Sequence, residues 1–308
     1  MAGTAGSTGT ARQLGTGLAD DGGAAGNGPK TLSIIGCGKV GKTLGRLWHA
    51  QQTFQLLDVL NRSVASAQQA CNFIGAGAAA ASYDELRNAD IYLIAAGDDQ
   101  IAACCEALAA SGKLNSDSIV FHCSGALSSH DLAAAGLQGA ALASIHPIRS
   151  FADPQQVALH FAGTWCGSEG DAAALAVLTP AFNAIGAQAV NIKRDSKVLY
   201  HAAAVFASNY LVTLIDVASQ AYVEAGLPPE IALKLIEPLL LESAANAFKL
   251  GPAAALTGPI ARGDMATVRR QYQAVQQWDP QAAALYRQFE LLTLELAARK
   301  NGGTSPTA

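Results

Sequence analysis

The sequence predicts an α/β chain: a doubly wound, largely parallel sheet domain followed by an all-helical C-terminal domain. Three observations lead there. Apolar strand-like runs alternate with helical segments across residues 30–193, a glycine motif joins the first run to the first helix, and the pattern of residues 194–300 is helical.

The elements follow in order. Leu32 to Ile35 is an apolar strand, and Gly36, Gly38 and Gly41 follow it in GxGxxG spacing before a helical stretch from Lys42 to Ala50. Each glycine serves a different purpose. Gly36 allows a tight turn, Gly38 the close approach of a pyrophosphate, and Gly41 the packing of helix on strand. A strand before and a helix after is the context that makes this motif a dinucleotide fingerprint, with phosphate held by Gly36, Gly38, Lys39, Val40 and Gly41 at the helix N-terminus. The first domain is therefore a Rossmann domain.

The second strand runs from Gln55 to Leu60 and ends in Asn61-Arg62-Ser63. An acid at this point would grip both ribose hydroxyls of NAD, whereas Arg62 with Ser63 suits the 2′-phosphate of NADP. Asp58 comes three residues too early and falls within the strand. The expected cofactor is NADP, the bland alternative being a surface arginine at a strand end.

Next come "IYLIAAGDDQ", a strand ending on Gly97-Asp98-Asp99 with a helix through Leu108, then "SIVFHCSG" and "ALASIHP". "FAGTWCG", a helix in "DAAALAVLTPAFNAIG" and "QAVNI" complete the domain, the last two strands being parallel or antiparallel. Ligands of such sheets lie beyond the strands' carboxyl ends. Asp98, His122, Ser124, His146 and Arg149 all fall on that rim, with Asp98 facing the cofactor and His122 and His146 lining the substrate cleft.

The second domain opens with a helix predicted from Ser196 to Ala225, capped by Asp195. At 100° per residue Lys197, His201, Ala204 and Ser208 lie within about 60° of one face. A lysine, an imidazole and a hydroxyl on one stripe of an apolar helix point to proton transfer and substrate contact. The alternative is a snorkelling lysine above a core histidine. Helices at Pro229–Leu250 and Asp264–Val275 follow, with a last one opened by Asp279-Pro280 and reaching Arg299. The loop "ALTGPIARGD" offers Arg262 to an anionic substrate group.

Composition narrows the function. Half of the residues are hydrophobic, 14% are charged and the net charge is −4. With no basic stripe, nucleic acid is excluded as a partner. The apolar stretch 202–223 is interrupted by Ser208, Asn209, Asp216 and Gln220, which argues for a buried soluble helix over a membrane span. The six cysteines show no CxxC or zinc spacing, so free thiols in a reducing cytoplasm are expected. Residues 1–29, rich in Gly, Ala and Thr, read as a disordered tail without a signal peptide, and 301–308 as a second short tail. The Ala-rich, charge-poor residues 196–250 predict a homodimer through the helical domain.

The stretches "GCGKVG", "FHCSGALSS", "SIHPIRSFADP", "YHAAAVFASNYLVTL" and "LTGPIARGD" together carry a resemblance. The chain resembles a bacterial oxidoreductase family with an N-terminal Rossmann-like domain and a C-terminal helical domain of unknown function. That family lies within the superfamily whose C-terminal domain is like that of 6-phosphogluconate dehydrogenase. Its wider relatives include pyrroline-5-carboxylate reductase, ketopantoate reductase and the β-hydroxyacid dehydrogenases. The resemblance implies a catalytic lysine on the first long C-terminal helix, which Lys197 matches, and pairing of chains through these helices. The superfamily often has asparagine four residues on, where this chain has His201, so either Lys197 or His201 can serve as the proton donor.

The leading expectation is an NADP-dependent oxidoreductase acting on a small carbonyl or imine acid, with Lys197, His201 and Ser124 as its catalytic groups. His122, His146, Ser208 and Arg262 would bind the substrate. A dinucleotide sensor without catalysis would need the glycine loop but not the helix stripe. A hydrolase centred on "HCSGA" lacks the two glycines of a nucleophile elbow, since His122 and Ala126 stand in their places.

Overall fold

The computed structural model describes residues 28–300 and residue 302, so the expected tails lie almost wholly outside the described residues. The chain divides into two units between Asp195 and Ser196.

Among the described residues the first unit holds eight strands: β1 (Thr31–Ile35), β2 (Gln55–Leu60), β3 (Ala78–Ala80), β4 (Ile91–Ile94), β5 (Ile119–His122), β6 (Ala141–Pro147), β7 (Trp165–Gly170) and β8 (Gln188–Asn191). They form one sheet of order β3-β2-β1-β4-β5-β6-β7-β8. The chain turns back across β1 after β3, so the topological switch point lies between β1 and β4. The first six strands are parallel; β7 runs antiparallel to β6, and β8 is parallel to β7. This resolves the direction that periodicity left open.

Six helices accompany this sheet: α1 (Lys39–Ala50), α2 (Val64–Ile74), α3 (Asp98–Ala110), the short α4 (Ala133–Gly136), α5 (Pro154–Leu159) and α6 (Ala172–Ala184). Two cores follow from winding on both faces. One joins Leu32, Ile34, Val59, Phe121 and Ile145 to the helix residues Leu44, Ala67, Ala70, Leu178 and Phe182. The other joins Ile35, Tyr92, Ile94 and Val120 to Ile101, Cys105, Leu108 and Ala135. Alternate residues of β1 and β4 serve opposite cores, as the period of two dictates. Trp48 anchors α1: its indole N–H donates to the Ala181 carbonyl at 3.0 Å, and its ring meets Phe54, Phe121 and Phe182 edge-on. Each such ring contact adds roughly 0.5–1.5 kcal/mol to the burial itself.

The second unit is helical: α7 (Lys197–Ala207), α8 (Asn209–Glu224), α9 (Pro229–Leu250), α10 (Pro252–Ala255), α11 (Met265–Trp278) and α12 (Pro280–Lys300). The single helix expected from Ser196 to Ala225 is two helices. Ser208 leaves helical geometry, at φ −130° and ψ −75°, and its hydroxyl donates to the Asn209 side chain at 3.3 Å. Adjacent Ser and Asn side chains compete locally with the helix ladder, and the apolar pattern conceals that competition. Asp195 does not cap α7 either; it sits within a 3₁₀ turn, Arg194–Ser196, and Ser196 takes the cap position without a side-chain bond. The predicted caps at the later helices are present. Asp264 accepts from the Thr267 N–H, and Asp279 from Gln281 and Ala282.

Residues 194–224 are the one segment among those described with the length and hydropathy of a membrane span. The break at Ser208 divides it into helices of 11 and 16 residues. Either is shorter than the roughly 20 residues a bilayer crossing needs. The second unit buries few apolar side chains, while Val198, Leu199, Leu239, Leu241 and Phe248 are all exposed.

Candidate functional site: a dinucleotide cleft

The glycine loop connects β1 to α1 at the switch point. Gly36 has φ +73°, and a Cβ there would lie 2.8 Å from the Cα of Ala96. Any side chain would thus push β1's exit away from the segment after β4. Gly41 faces the sheet, with Cys37, Ala95 and Ile34 within 3.1–3.2 Å of where its Cβ would be. Gly38, the N-cap of α1, is different: a Cβ would meet nothing nearer than the Gly36 carbonyl at 3.9 Å. Open space therefore lies against Gly38, at the point where the first N–H groups of α1 have no partner within the helix.

That space belongs to a cleft of about 1030 Å³, lined by Gly36, Cys37, Gly38 and Lys42 from the loop and α1. Leu60, Asn61, Arg62 and Ser66 line it from the end of β2 and the start of α2, and Gly97, Asp99 and Gln100 from the start of α3. Its size suits a dinucleotide. Lys42 brings a cation to the phosphate side, and it directly follows the third glycine, a position from which the sequence could have named it.

Asn61 lines the cleft, and its side-chain oxygen accepts from the Cys37 N–H at 2.6 Å, which fixes the loop between two strand ends. The Cys37 thiol beneath is buried, which pushes its pKa up to about 12 despite the nearby Lys42. Such a thiol is inert packing. Ser63 caps α2, its Oγ accepting from the Ser66 N–H at 3.3 Å, so the hydroxyl keeps its own proton to donate. Arg62 is exposed and lines the cleft. Asp58 lies inside β2, buried and bound by Arg87 at 2.7 Å. Asp99 lines the cleft, whereas Asp98 is outside the lining. Lys39 and Val40 open α1 beside Gly38.

His122 ends β5, fully buried. Its Nε2 faces the Ser128 carbonyl at 2.9 Å, and its Nδ1 accepts from the Ser124 N–H at 3.1 Å. These contacts fix a neutral ring protonated on Nε2. The Ser124 hydroxyl accepts from the N–H groups of Ala126 at 3.1 Å and Leu127 at 2.9 Å. Both residues thus hydrogen-bond the turn after β5. His146 is half-buried on β6 opposite Gly167. The Arg149 guanidinium is held by the His160 carbonyl and the Thr164 hydroxyl.

In the helical unit, Lys197 is 2% exposed, so its ammonium does not snorkel into solvent. His201 lies one turn on and is half-buried, whereas Ser208 is exposed at the break between α7 and α8. Arg262 is exposed on a 3₁₀ turn, Ile260–Arg262, beside the Asp264 cap.

Residues 20–147 match a Rossmann-like domain, and residues 164–293, from just before β7 of the first unit into α12 of the second, match a domain of unknown function, DUF2520. No curated protein matches the chain. Among solved structures, protein TM1727 from Thermotoga maritima is 27% identical, covering 88% of this chain and 99% of that one with a TM-score of 0.70. An imine reductase from Myxococcus stipitatus in complex with NADP+ shares 17% identity, 89% and 96% coverage and a TM-score of 0.60. A Plasmodium falciparum pyrroline carboxylate reductase with NADP bound shares 15% identity, 89% and 98% coverage and a TM-score of 0.55. The last two likenesses are of fold. The chain is thus built of a Rossmann-like domain followed by a DUF2520 domain.

Proposed function

We propose that this protein is an NADP-dependent oxidoreductase acting on a small carbonyl or imine acid. The observation that carries the reading is the cleft at the switch point. It has open space against Gly38, cations at Lys42 and Arg62, and no acid released by β2, since Asp58 is bound to Arg87. Gly38, Lys39 and Val40 would hold the pyrophosphate through backbone N–H groups, and Arg62 with Ser63 the 2′-phosphate. When bound, the cofactor supplies or accepts a hydride at its nicotinamide ring. The fold likeness to reductases that carry NADP supports the same reading.

Lys197 is the group we assign to proton transfer, with His201 one turn away as its partner in that role. A lysine this buried is rare unless its surroundings require it, and buried titratable groups concentrate at functional sites. Arg262 would hold an anionic substrate group. Ser124 and His122 keep the loop after β5 in shape, and His146 stands on the same rim. The protein acts as a homodimer in the reducing cytoplasm, a setting that suits its six free cysteines and the exposed apolar faces of its helices.

The test compares dissociation constants for NADPH and NADH in wild type and Arg62→Ala. Wild type is expected to favour NADPH, and Arg62→Ala to weaken NADPH by about 1.5–3 kcal/mol while leaving NADH nearly unchanged. Equal affinities in wild type would overturn NADP preference. Tight NADPH binding with no turnover across a broad carbonyl and imine panel would favour a sensor instead.

A further inference from the structure

Arg149 is a charged residue of the rim that the proposed chemistry leaves unused. Sheet order sets β2 on one side of β1 and β4, β5 and β6 on the other. Arg62 follows β2 and Arg149 follows β6, so the two cations flank the glycine loop from opposite sides of one rim. A dinucleotide with its 2′-phosphate at Arg62 extends across the switch point toward the ends of β4, β5 and β6. The segments leaving β4 and β5, 95–100 and 123–128, contain no lysine or arginine. Arg149 is the one cation that 148–153, leaving β6, brings to that half of the rim.

The arginine is anchored from behind. Pairing of β6 with β7 continues past Pro147, the Ile148 N–H donating to the Trp165 carbonyl at 2.8 Å. The Arg149 N–H then donates to the Pro147 carbonyl at 2.9 Å. On the side chain, Nη1 donates to the carbonyl of His160, the C-cap of α5, and to the hydroxyl of buried Thr164 at 3.3 Å. Helix α5 in turn packs on α1, the helix that starts at the glycine loop. The Nε–Nη2 edge of the guanidinium has no partner among the described residues, and no carboxylate of theirs pairs with it. Arg149 is thus exposed, held through one nitrogen and without a counter-ion. Two parallel N–H donors on a fixed plane match the two oxygens of a carboxylate, and the anchoring lowers the ordering cost of that contact.

We infer that Arg149 binds the carboxylate of the substrate through Nε and Nη2, with Thr164 as its positioning residue. The inference rests on the oxidoreductase reading above and deepens it: the acid group, and not the carbonyl or imine alone, is selected by the first unit.

The experiment uses the full-length protein saturated with NADP+, so that bound oxo acids are not reduced. Pyruvate, 2-oxoglutarate and phenylpyruvate are titrated calorimetrically, with pyruvamide as neutral control and inorganic phosphate as a second anion. At least one acid should bind, and pyruvamide should not. Arg149→Gln should weaken that acid by about ten- to hundredfold. Arg149→Lys keeps the charge without the fork and should weaken it by at least about fivefold. Thr164→Val, nearly isosteric, should weaken it by about two- to fivefold, and all three variants should bind NADPH within about twofold of wild type. Phenylglyoxal labelling read by mass spectrometry locates the contact, with exposed Arg269 as internal reference. At ten times its dissociation constant the acid should slow Arg149 modification by about tenfold. Protection of Arg262 in place of Arg149, protection of Arg149 by phosphate and by none of the acids, or no protection at all would return Arg149 to holding its turn. Any of these, in protein that binds NADPH, overturns the Arg149 assignment alone. Failure of folded wild type to bind NADPH would overturn the oxidoreductase reading with it.

Discussion

Glu169 and Arg194 meet at 3.0 Å between Oε2 and Nε, joining the C-terminal end of the antiparallel strand β7 to the last turn before the helical unit. The Glu169 carboxylate is buried and also accepts from the Ser129 N–H at 2.7 Å and the Ser129 hydroxyl at 2.8 Å. Arg194 reaches on to the His130 Nε2 at 2.7 Å. Four residues thus tie together a strand, the turn after β5 and the segment that leads into α7. A carboxylate this deep is stable only because its lone pairs are taken by donors.

Replacing that carboxylate with an amide keeps its shape but turns a donor toward donors. Glu169→Gln should destabilise the protein by about 2–4 kcal/mol, whereas Ser129→Ala, which removes one neutral donor, should cost about 1 kcal/mol. Urea denaturation of both variants, followed by tryptophan fluorescence, checks the ranking. A neutral Glu169→Gln would show that the network adds nothing.

Gly36→Ala tests the loop geometry. Its Cβ would face Ala96 at 2.8 Å from a backbone already at φ +73°. The expected cost is about 1–3 kcal/mol of strain. A loss of NADPH affinity out of proportion to that cost is expected as well, because the loop shifts against β4. Calorimetric titration beside a thermal melt separates the two effects.

For Lys197, the expected signature of a proton-transfer role is kinetic. Lys197→Ala should lower turnover by about two to four orders of magnitude with NADPH affinity nearly intact. The assay is NADPH oxidation against a panel of small keto and imino acids. A variant that retains wild-type turnover would return Lys197 to a packing role.

Stability should fall in acid through Asp90. Burial opposes its charge, but the Thr31 hydroxyl and N–H donate to the carboxylate at 2.6 and 2.7 Å, Lys30 lies nearby, and the net result is a pKa below the ordinary aspartate value of 3.8. A folded-state pKa below the unfolded one means the stabilisation is complete above about pH 4. It is lost as pH falls through the folded value. Asp90→Asn should therefore flatten the acid limb of a melting-temperature profile while lowering the plateau near neutrality.

The exposed apolar side chains of α7 and α9 lead to the association prediction. Light scattering at micromolar concentration should show a dimer, and Leu239→Glu on the exposed face of α9 should shift it toward monomer. A monomeric wild type would refute pairing.

The sequence alone determined the alternation of strands and helices, the place of the glycine loop, the acid-free end of β2 and the caps Asp264 and Asp279. These are local properties: a period of two or 3.6, a turn that needs glycine, a side chain that bonds its own backbone two or three residues on. Tertiary structure decided the rest. The reversal of β7 and β8 depends on which edge the chain returns to, and period-two patterning is the same in either direction. His122 and Ser124 are placed at the end of β5 by sequence, but that they also hydrogen-bond the turn after it is a matter of tertiary geometry. The Ser208 break lies hidden in an apolar run, because hydropathy records side chains and not backbone angles. Tyr83 and Cys104, 21 positions apart in sequence, became one wall of a cleft only when β3 and α3 were set beside the glycine loop. Contacts of that kind are made between elements, and no spacing within one element encodes them.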